Sequence, residues 1–390
     1  MLGFTRARRP AVIAGTALIG CLLASCGFQE PPLDPTTREV LNRVEIAPIS
    51  HLTATMDVMV VDPTTETLYV ADATDPGHQG IDVVDIHGVP GRYVKIISTG
   101  DTLPNGLVIA PDVHRMYTGT DDGTVSVIDL DPTSPHYQTI VDTLNMKGQL
   151  GADLVAYDQP DHRVFVNNPD DGFLTAIDSH TDRILGRING VSLGDQPVYD
   201  AADGMLYIGA IDDNTLVKMD PRSLKVVQRY SFDVPCEPHG IAINPTTDQG
   251  LIGCADKDTP VTISWDFTRE TPIKYFDLSG AGDLLIYDST YNEFLFAASN
   301  YAPAEMSVFS GSPIAYLTSV PTAHKAHNVA YDDVHRAIYT DDGRLREAAL
   351  WEFPDPLLHC DKAMTHCSSE SNVPPPIVNG APARGREVGS

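Results

Sequence analysis

Apolar residues recur along this chain in short alternating runs, each cut off by a turn, and the runs themselves repeat. Leu68-Tyr69-Val70-Ala71-Asp72, Met116-Tyr117-Thr118-Gly119-Thr120 and Leu206-Tyr207-Ile208-Gly209-Ala210 are three copies of one pattern. Val164-Phe165-Val166, Gly250-Leu251-Ile252-Gly253, Phe294-Leu295-Phe296 and Ile338-Tyr339-Thr340 continue it. Roughly ten residues after most of them comes a second alternating run closed by an acid, such as Val83-Val84-Asp85, Val127-Ile128-Asp129, Ala176-Ile177-Asp178 and Lys218-Met219-Asp220. A further apolar run precedes each copy across a Pro- and Asx-rich turn, as in Ala110-Pro111-Asp112 and Asn244-Pro245-Thr246-Thr247-Asp248. Proline presets φ and Asx side chains close the bend, so these are tight antiparallel hairpins.

Taking residues 69, 117, 165, 207, 251, 295 and 339 as markers gives seven units of about 45 residues. Four strands in a unit of that length is a β-propeller blade. Fourth strands are legible as Arg92–Ile97, Tyr137–Leu144, Arg183–Ile188, Leu224–Tyr230, Ile273–Asp277 and Ile314–Thr318. The seventh unit ends near Phe353 without one. Val40–Ile46 precedes the first unit and supplies it, so the N-terminal strand closes the last blade and hides its edge. The expectation is an all-β, seven-bladed propeller over residues 38–355.

The run Cys236-Glu237-Pro238-His239-Gly240-Ile241-Ala242-Ile243-Asn244-Pro245, then Gly253-Cys254-Ala255, resembles the bacterial YVTN-repeat propellers. Gly151–Asp158 and the Tyr-Val and Tyr-Thr markers add to that resemblance. It implies the architecture over roughly residues 40–355 and leaves activity open.

Composition narrows the partners. Acids outnumber bases 53 to 26, for a net charge of −27, which disfavours a nucleic-acid surface. The first 25 residues carry Arg6, Arg8 and Arg9 and then an apolar stretch, Ala11–Ser25, too short to span a bilayer and shaped like a secretory signal. Leu23-Ala24-Ser25-Cys26 resembles a bacterial lipobox, which implies cleavage before Cys26 and a diacylglycerol on its thiol. Residues 26–37 read as a Pro-rich tether, residues 356–367 as a loop between Cys360 and Cys367, and residues 368–390 as a disordered tail. The chain is thus expected to be a monomer anchored in the cell envelope, on its periplasmic or outer side. An exported protein oxidises its cysteines, so Cys236–Cys254 and Cys360–Cys367 are candidate disulfides. The competing use of the first pair is Cys236-x-x-His239 in a soft metal site.

Candidate chemistry comes from the repeat. Twelve residues before each marker stand Asp57, Asn105, Asp153, Asp195, His239, Asp283 and His327, all polar. The first strand of a propeller blade lines the central channel, so these seven form an axial ring. Asp153, Asp195, His239, Asp283 and His327 fall on one arc and suit a divalent cation. The other reading is a wet channel whose acids bind neighbouring backbone. Like charges facing one channel raise at least one carboxyl pKa. His239 with Glu237, or His327 with Asp283, would be the acid–base pairs, yet no nucleophile elbow, phosphate loop or haem motif accompanies them.

The function expected is therefore a scaffold that binds a protein or small ligand, with no certain cofactor. A metal-dependent hydrolase of the lactonase type and a redox accessory protein are the alternatives. Lipidation has a direct check: Cys26→Ala should abolish incorporation of a fatty-acid analogue. A variant that still labels refutes the anchor.

Overall fold

The computed structural model describes residues 42–46, 56–74, 79–301, 303–323, 325–342, 349–356 and 386–387. The expected signal, Cys26, the tether and the Cys360–Cys367 pair lie outside them. Seven antiparallel sheets follow one another along the chain. The innermost strands are Met56–Asp62, Pro104–Ala110, Val155–Asp158, Val198–Asp200, Pro238–Asn244, Leu285–Asp288 and Val329–Asp332, from blade one to blade seven. Each inner strand lies against the next, and that of blade seven lies against that of blade one, so the ring is closed. One short 3-10 turn, Pro111–Val113, is the only helical element among the described residues.

Blade seven is built as the sequence requires. Asn42–Glu45 pairs antiparallel with Ala349–Pro354, with Asn42 opposite Glu352 and Glu45 opposite Ala349. Val44 and Ile46 are buried there. The other fourth strands match expectation to within a few residues. That of blade two begins at Ile140 and not at Tyr137, because Gln138 takes a left-handed φ of 56° and turns the chain. Within the tail expected to be disordered, Arg386–Glu387 pairs with Lys274 and Tyr275 as a fifth strand on blade five.

The local chemistry of the hairpins repeats with the fold. Inner strands end in Asp62, Asp158, Asp200, Asn244, Asp288 and Asp332 in six of the seven blades. Most of these side chains accept a backbone N–H two residues on, from Thr64, Ala202, Thr246, Thr290 and Val334, at 2.9 Å in each case. The turn then passes through one left-handed residue, always three before the marker: Glu66, His114, His162, Gly204, Asp248, Asn292 and Arg336. Glycine adopts that conformation freely, whereas Glu, His and Arg do so at some cost. The Asx contact and the strand pairs on either side hold them in it.

Apolar packing lies between blades. Among the described residues there are seven apolar clusters, one for each interface around the ring. Second strands such as Thr67–Asp72 are buried along their whole length, whereas fourth strands such as Arg92–Ser98 are largely exposed. The core is thus a set of wedges between sheets, filled by Tyr69, Tyr117, Phe165, Tyr207, Phe294 and Tyr339. Full burial of a side chain of that class contributes about 1.5–3 kcal/mol. Val44 fills the wedge between blades seven and one together with Met56, Leu68 and Leu350.

Deleting residues 38–48 removes that strand, its apolar contacts and the cover on the 349–354 edge. The truncated protein should aggregate, or melt well below the parent. An unchanged melting temperature in a monomeric truncation overturns the closing-strand assignment.

Candidate functional site

All seven ring residues stand at one end of the inner strands and are half-buried. Backbone contacts between blades set their positions. The Gly240 N–H donates to the Asp283 carbonyl at 2.9 Å, and a Cβ on Gly240 would lie 2.3 Å from that oxygen. No other residue fits there, and the contact brings His239 of blade five beside Asp283 of blade six. The Leu284 N–H donates to the His327 carbonyl at 3.1 Å, which carries the arc into blade seven.

Three of the expected donors converge. Asp195, His239 and Asp283 each offer a ligand atom, and the three atoms lie within 4.8 Å of one another. His239 Nδ1 is 2.7 Å from the Glu237 carbonyl oxygen. An oxygen there can only accept, so Nδ1 carries a proton and Nε2 faces Asp195 Oδ2 at 3.5 Å. Asp195 Oδ1 is sealed from solvent with no hydrogen-bond partner among the described residues. Donors bound to one zinc ion sit about 2.0–2.2 Å from it, hence roughly 3–3.5 Å apart. The Asp195–His239 edge already meets that spacing, and the remaining edges need a modest contraction.

The other ring members do different work. His327 has Nε2 at 2.5 Å from the Met56 carbonyl and Nδ1 at 3.2 Å from Asp283 Oδ2. Burial opposes its charge, but the hydrogen bond to Asp283 and the nearby Asp341 and Asp57 carboxylates carry its pKa well above the ordinary imidazole value. With its two ring nitrogens turned to Asp283 and the Met56 carbonyl, it stands outside the three-donor group. Asn105 donates from Nδ2 to the Ala152 carbonyl at 3.2 Å, the backbone-binding role weighed above as the alternative. Asp153 stands outside the three-donor group.

The pKa values of Asp57, Asp153 and Asp195 are raised, and burial is the largest cause in each case. It pushes Asp57 up to about 6 against the pull of His327. Asp153 is pushed up to about 7 by burial, then by Asp57 and Asp283. Asp195 rises well above the ordinary carboxylate value by burial, then by Asp283, Asp153 and Asp57. Repulsion expected from the ring is present, but it is second to the loss of water.

Cys236 and Cys254 form a disulfide with Cα atoms 4.5 Å apart. It fastens the loop before the inner strand of blade five to the end of the next strand, and it withdraws Cys236 from the soft metal site considered above. Glu237 contributes its main-chain carbonyl to His239, not its carboxylate. Beside it opens a cleft of about 530 Å³ lined by Ile211, Asp212, Phe232, Val234, Glu237 and Asp256, among others.

Two contributors have no counterpart in the sequence reading. Gln196 accepts from the Ile241 N–H at 3.2 Å and donates to the Leu285 carbonyl at 3.3 Å, tying blades four, five and six together below the mouth. Nothing in its spacing marks it. Asp341, buried behind His327 and pushed up to about 7 by burial, does carry a signal. It stands two residues after its marker, where the other blades have Ala71, Gly119, Asn167, Gly209, Gly253 and Ala297.

No protein-family model matches this sequence, and no curated protein matches it. Among solved structures, a chain in the crystal structure of a mitotic checkpoint complex is similar, with a TM-score of 0.62 at 14% identity. The overlay covers 90% of this chain and 99% of that one. At that identity the likeness shows the fold alone.

The raised carboxyl pKa values have a definite sign. An Asp at about 7 when folded and 3.8 when unfolded keeps a proton that unfolding releases, so stability falls as pH rises through that window. In metal-free buffer, Asp153→Asn should match the parent near pH 3.5. At pH 8 it should be more stable by about 1–2 kcal/mol, less than the full linkage because channel water screens the site. Denaturant titrations at the two pH values decide this. Equal stability at both rules out a buried, proton-holding Asp153.

Proposed function

We propose that this protein is a binding scaffold of the bacterial cell envelope, lipid-anchored through Cys26, whose propeller mouth takes a divalent cation at Asp195, His239 and Asp283. The observation that carries the metal site is the convergence of those three donors, with the His239 tautomer fixed so that Nε2 is left facing Asp195. A cation there would give the orphaned Asp195 Oδ1 a partner and remove the carboxylate repulsion. Two carboxylates with one imidazole suit Mn²⁺ or Zn²⁺. The lipobox-like Leu23–Cys26 and the apolar run before it support the anchor. Next to the mouth, the acidic cleft under Glu237 offers room for part of a small ligand or a partner's side chain.

A ligand that binds only the folded state stabilises it by mass action, about 2.7 kcal/mol at a hundredfold excess over Kd. Mn²⁺ should therefore raise the melting temperature by roughly 5 °C. His239→Ala should lose most of that rise and keep nearly the parent's metal-free stability. Acid should weaken the effect as the ligands take up protons. A flat melting temperature across Ca²⁺, Mn²⁺ and Zn²⁺ titrations overturns the axial site.

A further inference from the structure

His239 turns Nε2 to Asp195 because a loop gives its other nitrogen a partner. The chain leaves the fourth strand of blade four, Lys225–Ser231, and enters the inner strand of blade five at Pro238. Just before Pro238, Glu237 takes a left-handed φ of 49°, a conformation that its Cβ disfavours. Its carbonyl accepts the Ala255 N–H at 3.1 Å and lies 2.7 Å from His239 Nδ1. Where that carbonyl points decides which nitrogen of the ring carries the proton.

The loop is held from blade four. Asn214 lies in the turn between Met205–Ala210 and Thr215–Asp220. Its Oδ1 accepts the Cys236 N–H at 3.0 Å and the Glu237 N–H at 3.2 Å. Its Nδ2 donates to the Val234 carbonyl at 2.9 Å. One amide thus grips the loop at three residues, the last of them the one that faces His239. On the blade-five side the Cys236–Cys254 disulfide fastens the same loop, and the Asp256 N–H donates to the Cys236 carbonyl at 3.1 Å.

The corresponding turns of blades two and three show what Asn214 adds. Their left-handed residues are Gly123 and Gly172, with φ of 76° and 72°, against 50° for Asn214. In all three blades the carbonyl of that residue accepts the N–H of the first residue after the fourth strand. The donors are Met146, Gly190 and Phe232, at 3.1, 3.0 and 3.2 Å. Backbone alone makes that contact, and glycine adopts the conformation without strain. Asparagine tolerates it as well, and in blade four its side chain makes three further bonds, all to the loop. The two glycine turns precede Asp153 and Asp195, which have no ring to orient. The asparagine turn precedes His239.

We propose that Asn214 is a positioning residue of the axial cation site, holding loop 232–237 so that the Glu237 carbonyl keeps the His239 proton on Nδ1 and leaves Nε2 for the ion. The inference rests on the cation site proposed above. Asn214 touches no ligand atom and acts through Glu237. A partner on the far nitrogen of a ligating histidine fixes both its tautomer and its ring angle, and losing such a partner costs about 10–100-fold in metal affinity. Here the partner is a main-chain carbonyl, so changing the Glu237 side chain does not remove it, whereas releasing the loop does. A released imidazole divides its proton between both nitrogens, and the form protonated at Nε2 cannot bind the ion.

The test reads tautomer and affinity separately. In metal-free protein with isotope-labelled histidine, nitrogen NMR should show the His239 ring, assigned by its loss in His239→Ala, as one tautomer protonated at Nδ1. Asn214→Gly keeps the turn as Gly123 and Gly172 do, so it is expected to fold. It should give a mixture of tautomers and weaken Mn²⁺ binding at least about tenfold. Asn214→Asp retains the oxygen that accepts both N–H groups and should keep the parent's tautomer. If Asn214→Gly leaves the tautomer unchanged, the proposal is overturned even where the melting temperature falls, because a purely structural role gives that fall alone. An Asn214→Asp variant that folds and loses the single tautomer overturns it too. A parent with one tautomer and no Mn²⁺ binding sinks the cation site, and the tautomer readings still decide what Asn214 does to His239.

Discussion

Neighbouring inner strands of this ring meet backbone to backbone, and that close approach sets almost everything else. Gly240 touches the Asp283 carbonyl, and Gly106 lies against Leu154, where a Cβ would come within 2.5 Å of its Cα. Strands that approach so closely at the axis must splay outward, which opens wedges between the sheets. Tyr, Phe and Leu fill those wedges. The same approach leaves a narrow polar channel whose side chains have little water. Burial is accordingly the first cause of the raised carboxyl pKa values, ahead of their mutual repulsion.

Such a ring would be costly if every acid in it were ionised and unpaired. Two features limit the cost. His327 is held as a cation between the Met56 carbonyl and Asp283, with Asp341 behind it. Burial also raises the pKa values of Asp153 and Asp195, which favours their uncharged, protonated forms. A bound cation and these protons are alternatives for the same charge, so ion affinity at the mouth and its proton occupancy are two sides of one equilibrium.

The markers and the ring were legible in the sequence because the hairpins keep their lengths. Counting twelve residues back from Tyr69 or Tyr339 lands on the channel each time, and the missing seventh fourth strand pointed to residues 40–46. Partner choice was not legible in the same way. Spacing says that His239 and His327 are equivalent, yet one turns Nε2 to Asp195 and the other turns it to the Met56 carbonyl. That difference depends on which carbonyl, Glu237 or Met56, lies within reach of the ring. Asp341 could have been found by comparing the position two beyond each marker, where it alone is charged.

The seam in blade seven also gives the ring a mechanical direction. Asn42 lies opposite Glu352, so the chain enters and leaves the blade at the same end of that ladder. A force drawing Asn42 away from Pro354 acts on this end first. It breaks the four residue pairs one after another, as a zip opens, and never loads them all in shear. Tension across the seam therefore finds the ring at its most yielding, before the inner strands that join the blades are loaded.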